Sequence, residues 1–337
     1  MRRRAFLTGT AAGVAAIAGL SRAPWAQGQA PAAGQGRGRQ GGRGGRGGGG
    51  RGRGGSPANV SADKLARLAI MTLDFSYILT FPWSTGAPPE NALSIFDLPQ
   101  MYKDVYGVSH VEFQHSHISG GGSNDGDPAF LREMKARLDA AGCQASQINL
   151  EFGQQNISNP DAAMRQQAVE RTRRWIDNAV LIGSPRVMIN QSQSTLNNET
   201  RAHAVATWTQ MVDYGKTKNV LVAAETRGSG GASEQELGMK PWQFLYGVAR
   251  DAGAVVTLDM GNAAAAHQEE MNQAIRDVIP ITSGNMHVKS NVNWDIGEAV
   301  RVAEAAGYRG LYSIEVREHP AVRIVYNTIL TNLGRSA

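Results

Sequence analysis

Residues 220–225 read Val220-Leu221-Val222-Ala223-Ala224-Glu225, an apolar run that stops on an acid. A run of this length between helical patterns is expected to form a buried strand of a parallel sheet. The next such run, Val255-Val256-Thr257-Leu258-Asp259, also stops on an acid. Asn285-Met286-His287-Val288-Lys289 carries a histidine, and Leu311-Tyr312-Ser313-Ile314-Glu315 again ends on an acid. Outward from these, the same alternation sets eight strand expectations: 65–73, 108–114, 144–150, 186–190, 220–225, 254–259, 284–288 and 310–315.

Helical patterns fill the gaps. One over 161–182 has apolar residues at Val169, Ile176 and Val180, with Asn159 as the expected N-cap and Pro160 in the first turn. Glycines recur before strands in the triplets 140–142, 251–253 and 305–307, where a left-handed residue can end a helix. Eight strand–helix repeats over the stretch from about Lys64 fit a (β/α)8 TIM barrel in number and size. An open doubly wound sheet would carry a Gly-rich turn after its first strand. None follows Leu73, and Gly120-Gly121-Gly122 lacks the required spacing.

The chain has 337 residues, one cysteine and a formal net charge of +5. That charge misleads. Residues 1–56 carry ten arginines and no acid, which leaves 24 basic against 29 acidic residues in the remainder. Nucleic-acid binding needs a basic face, which the acidic balance of the barrel disfavours, so no nucleic-acid partner is expected of it. Cys143 cannot form an internal disulfide and is expected to be buried as a small apolar residue.

Residues 2–4 are three arginines, followed by a short run of small apolar residues to Leu20. This is the layout of a signal peptide, too short for a membrane span of ~20 residues. The Arg3-Arg4-x-Phe6-Leu7 order resembles the twin-arginine export signal, which implies the twin-arginine machinery as a partner and a periplasmic or otherwise exported location. Residues 34–56 are nearly all Gly and Arg, with no apolar side chains to offset ordering entropy. The expected organisation is therefore a signal peptide over 1–30, a disordered linker over 31–60 and a single barrel over 61–337.

Working residues of such barrels sit at the C-terminal ends of the strands. Glu225, Asp259, His287 and Glu315 would converge there, and three crowded carboxylates repel unless a cation neutralises them. Three oxygens and one imidazole suit one divalent ion, manganese above all, with cobalt, magnesium or zinc as alternatives. Period two along a strand would send Arg227, Lys289 and Arg317 to the same side as these ligands, for substrate oxygens. Glu112, His115 and Asn190 end earlier strands and could meet hydroxyls. Trp83, with Phe75, Tyr77 and Phe81, could stack on a sugar face. His115 and His117 could instead form a second metal site, although no carboxylate pair accompanies them. Gly120–Asp127 could be a mobile lid or simply a long loop.

The strand ends resemble those of the sugar phosphate isomerase/epimerase family of xylose isomerase-like barrels. The resemblance rests on Glu225, on Leu258-Asp259-Met260-Gly261-Asn262, on His287-Val288-Lys289-Ser290 and on Ser313-Ile314-Glu315. It implies that Glu225, Asp259, His287 and Glu315 are the metal ligands, and that Glu225 and Glu315 exchange a substrate proton from opposite faces. Asn262, Ser290 and Asn293 depart from the family pattern at substrate-side positions, Asn262 remaining a substrate-binding candidate. The expected activity is metal-dependent isomerisation or epimerisation of a non-phosphorylated sugar, through proton transfer beside a carbonyl. Elimination from a 3-keto glycoside at the same site, and non-catalytic sugar binding in the periplasm, are the alternatives. The sequence leaves self-association into a homo-oligomer open.

Because the Arg/Gly segment lies outside all eight repeats, it is expected to be a dispensable tether. A chain starting at Pro57 should match the full mature protein in melting temperature and turnover; a clear loss in either would mean that the segment docks on the barrel.

Overall fold

The structure, a computed structural model, describes residues 60–121, 125–189, 195–226, 231–262, 267–289 and 293–335. The glycine triplets behave as their chemistry demands. Gly142, Gly253 and Gly307 have φ of +62°, +64° and +88°, turning the chain out of a helix and into the next strand. The strands are β1 (Leu68–Met71), β2 (His110–Gln114), β3 (Gln144–Leu150), β4 (Arg186–Ile189), β5 (Leu221–Glu225), β6 (Val255–Asp259), β7 (Thr282–Val288) and β8 (Leu311–Ile314). All neighbours run parallel, and β1 pairs with both β2 and β8, closing the barrel.

Among the described residues eight helices of nine residues or more cover it: α1 (Leu98–Tyr106), α2 (Pro128–Ala140), α3 (Ala162–Ile182), α4 (Arg201–Lys218), α5 (Pro241–Ala252), α6 (Gln268–Val278), α7 (Ile296–Ala305) and α8 (His319–Asn332). Their inner faces bury Trp175, Trp208 and Trp242, each at most 2 % exposed. Removing one such aromatic would cost about 3–5 kcal/mol through lost transfer energy and the cavity left behind. Cys143 is buried, as its neighbours predicted.

Three local expectations differ. The first strand is shorter than 65–73, because Ala62–Leu65 forms a helical turn and Thr72–Phe75 a 3-10 turn. The cap of α3 is Asp161, whose side chain accepts from the Ala163 amide at 2.7 Å; Asn159 in turn accepts from the Asp161 amide. Val180, expected on the inner face of α3, is 51 % exposed. The stretch Gly120–Asp127 agrees with the long-loop alternative where it is described: Asp125 pairs with Arg171 and Arg174 of α3, and Asp127 caps α2.

Two register shifts set the height of side chains inside the barrel. Between β2 and β3 the pairing moves from Val111↔Ala145 to Glu112↔Gln147, which inserts one extra residue at Ser146. Between β6 and β7 it moves from Val256↔Thr282 to Leu258↔Met286, and Gly284, at φ +77°, takes the bend. Bulges re-aim side chains; here the bulge takes up two residues of β7 and so brings His287, not Asn285, level with Asp259.

The connection from β1 to α1, residues 72–97, carries a small parallel ribbon of its own, Leu79–Thr80 against Leu93–Ser94.

Candidate metal centre

Glu225 closes β5, Asp259 closes β6, His287 sits one residue before the end of β7, and Glu315 follows β8. Each offers one ligand atom, and these atoms all lie within 4.8 Å of one another, every residue being buried. His287 Nδ1 is 3.0 Å from both Glu225 Oε1 and Glu315 Oε2. Lys289 Nζ reaches Asp259 Oδ2 at 2.8 Å and Glu315 Oε1 at 3.1 Å. Two like charges ~4 Å apart repel by about 4 kcal/mol at the effective dielectric of a protein. Only neighbouring cations make this crowding tolerable.

The proton affinities reflect that balance. Burial pushes the Asp259 carboxyl up, and the Glu315 and Glu225 charges add to it against the pull of Lys289, leaving it at about 7. Burial would push Glu315 the same way, but the His287 contact and the Lys289 charge hold it below the usual carboxylate range. Burial disfavours the charged forms of His287 and Lys289, yet the surrounding carboxylates outweigh it and hold both above their ordinary values.

Beneath the cluster lies a polar column inside the barrel. Glu112, fully buried, accepts from His287 Nε2 at 2.6 Å, Asn149 at 2.7 Å and Gln147 at 3.0 Å on one oxygen, and from Asn285 at 2.7 Å on the other. Burial opposes its charge, but the His287 charge and hydrogen bond, with the Asn285 donor, outweigh it and bring it to about 2. Nε2 is thereby committed to Glu112, and Nδ1 is the nitrogen that faces Glu225 and Glu315. A carboxylate behind an imidazole is the arrangement that orients metal-ligating histidines. With three carboxylates beside it, the donor set fits a hard or borderline divalent ion.

Asp259 is held from its own loop: its Oδ1 accepts from the amides of Gly261 and Asn262 at 2.6 and 3.0 Å. A side chain at 261 would lie in the path of the Lys289 stem, so glycine there lets that lysine reach the cluster.

A family model described as the xylose isomerase-like TIM barrel matches residues 104–326, which hold β2 to β8 and all four cluster residues. The chain belongs to that family. Within the family fold, it is similar to the 3-keto-D-glucoside 4-epimerase YcjR from E. coli, with 11% identity and a TM-score of 0.58 over 79% of this chain and 98% of that one. It is also similar to a D-psicose 3-epimerase solved in the presence of D-fructose, with 15% identity and a TM-score of 0.55 over 79% and 96%. A xylose isomerase-like barrel from Mycobacterium smegmatis in complex with magnesium gives 13% and 0.55 over 81% and 100%. No curated protein matches the sequence.

The remaining site expectations fare unevenly. Glu112 does not reach a substrate position; it is 0 % exposed and spent on His287, Asn149, Gln147 and Asn285. His115 is turned away from the mouth, its ring edge-on to Phe152 and Trp175, with Nδ1 at the Asn149 carbonyl. His117 Nδ1 meets Thr72 Oγ1, and among the described residues no further ligand-type side chains gather with the two histidines as a second metal site would need. Arg317 does not follow Glu315 by strand alternation: β8 has ended, and its φ of +62° points the exposed side chain elsewhere. Lys289 does join the cluster. Asn262 contributes its backbone amide to Asp259, and Trp83 lies in the β1 loop, stacked on Phe81. Asn190 and Arg227, with Ser290, lie outside the described residues.

Sequence reasoning missed Gln147, Asn149 and Asn285, which hold Glu112, and Asp74. Asp74 is fully buried, and its Oδ1 accepts from the Val316 and Arg317 amides at 2.7 and 3.0 Å, clamping the segment just after Glu315. A polar residue ending the first strand run was the available signal.

The geometry leads to a direct expectation. The folded protein should take up about one divalent ion per chain by elemental analysis, as a single site requires. Asp259→Ala should empty it, and Glu112→Gln should weaken the affinity by about 10- to 100-fold, the usual effect of losing an outer-shell partner. Full occupancy in Asp259→Ala would sink the assignment.

Proposed function

We propose that this protein is a divalent-metal-dependent sugar isomerase or epimerase that moves a proton beside the carbonyl of a non-phosphorylated sugar, with manganese the favoured ion. The observation that carries this reading is the buried set of Glu225, Asp259, His287 and Glu315, each within 4.8 Å of the others and oriented from below by Glu112. When bound, the ion supplies Lewis acidity toward a carbonyl oxygen and a neighbouring hydroxyl. All other roles fall to the chain.

Asp259 and His287 are the fixed members: two amides hold the one, Glu112 holds the other. Glu225 Oε1 and Glu315 Oε2 flank the imidazole at equal distance. In this proposal one of these glutamates removes the carbon-bound proton and the other returns one to the opposite face, each acting as a general base or acid within reach of the same carbon. Lys289 Nζ stands beside both Asp259 and Glu315, where an ammonium would stabilise negative charge developing on a substrate oxygen. Among the described residues it is the cation in contact with the cluster, and it is already held by two carboxylates; that favours an uncharged sugar over a sugar phosphate.

A 3-keto glycoside is the preferred form of that sugar. Its carbonyl acidifies the adjacent carbon, so the same proton removal serves either inversion of a neighbouring centre or expulsion of the anomeric substituent. The neutral residues Asn262 and Asn293, where the resembled epimerases carry charged ones, favour it over a free ketose. Export completes the proposal: the twin-arginine route carries folded proteins, so an ion could be taken up before export. Changing Arg3 and Arg4 together to Lys should retain the protein in the cytoplasm in cell fractionation; unimpaired export would remove this part of the reading.

The activity is tested by incubating enzyme, ion and sugars in deuterated water and following the carbon-bound proton by NMR. Exchange or elimination with 3-keto glycosides, and little with free ketoses, is expected. Fast epimerisation of free ketoses would shift the substrate to that class, and no exchange with any sugar would favour a non-catalytic sugar-binding protein.

A further inference from the structure

The β1–α1 connection builds a structure that the cluster does not use. Its Phe81 and Trp83 rings stack with centroids 5.1 Å apart and planes 16° from parallel. Phe81 also meets the His117 ring at 5.5 Å, and His117 in turn binds Thr72, the residue that follows β1. β1 is the neighbour of β8, whose next residue is Glu315. The aromatic pair is thus tied by two side-chain contacts to a strand end adjacent to the cluster.

The pair is set in place on its far side too. Trp83 packs on Phe130 of α2 at 5.1 Å, and it lies so close over Gly121 that any side chain there would collide with it. Both rings remain only partly buried. Beside Phe81 the same connection borders an open hollow of about 370 Å³, lined by Thr80, Phe81, Ser84, Pro88 and Pro89 among others. A space above ~300 Å³ is of the size that takes a small-molecule group. Its walls combine an aromatic ring and proline faces with hydroxyls, which is the pairing a hydroxylated ring needs: apolar faces for its C–H surfaces, polar groups for its edge.

We infer that the β1–α1 connection carries a second subsite, centred on Phe81, which receives a hydroxylated ring joined to the reacting sugar, so that the substrate is a two-ring glycoside. This rests on reading the barrel mouth as a sugar site, but it is separable from the chemistry there. The second ring has two sources, another sugar or an aryl group, and both share the flat apolar face and ring hydroxyls.

Binding is therefore measured without turnover, by saturation-transfer NMR on the full-length protein. The probes are cellobiose, 4-hydroxyphenyl β-glucoside, methyl β-glucoside and glucose. Saturation of second-ring protons in cellobiose or in the aryl glucoside is expected, and which of the two gives the stronger signal names the source. Phe81→Ala should weaken the two-ring probe by roughly three- to tenfold, the value of one aromatic contact, and Phe81→Leu, which keeps bulk but not the flat face, should do likewise at an unchanged melting temperature. Unsaturated second rings, or equal affinities in wild type and Phe81→Leu, would overturn the subsite. Either result stands apart from proton exchange in deuterated water, which tests the chemistry and not this hollow.

Discussion

Four carboxylates, those of Glu112, Glu225, Asp259 and Glu315, are held out of water around one imidazole. This is the constraint to which the rest of the barrel answers. Bringing like charges together is costly, and burying them adds desolvation to repulsion. The fold meets the cost with His287 in the middle, Lys289 across the top and a set of amide donors beneath. These compensating groups come from several strands, so the arrangement exists only in a closed barrel with the observed registers.

The registers explain why the interior departs from the usual apolar filling of such barrels. The extra residue at Ser146 pairs Gln147 with Glu112, and the bend at Gly284 takes up two residues of β7 so that His287 sits level with Asp259. Thr257 then links Gln147 to Ser283, so that even the amide that holds Glu112 is itself held. A buried polar network specifies one arrangement when its members are satisfied and is costly when they are not. Here it serves as a rigid base that fixes which imidazole nitrogen faces the mouth.

The ends of β5 to β8 were legible in the sequence because each is a local statement: an apolar run, then a ligand-type side chain. The helix-ending glycines were legible for the same reason. What lay beyond reach depended on relations between distant segments. Glu112 reads as a mouth residue by strand alternation alone, and only the pairing of β2 with a bulged β3 shows that it is sunk behind His287. Arg317 followed the period of two on paper, but two amides captured by Asp74 stop the strand and turn the backbone before that period can act. His115 read as a strand-end residue that could meet hydroxyls and is instead packed on Trp175, a residue 60 positions away whose placement no local pattern reveals.

The Glu112–His287 bond joins residues 175 positions apart in the chain. Loop closure over such a separation is slow to be rewarded, since its entropy is lost before the contact forms. During synthesis, β2 and its carboxylate leave the ribosome long before β7 and the imidazole that must neutralise it, and β8, which seals the barrel against β1, comes last. No amino-terminal fragment therefore contains a finished centre. Barrel closure and site assembly are one event, and until the final strand has emerged these carboxylates stay in water and the cost of crowding them is not yet met.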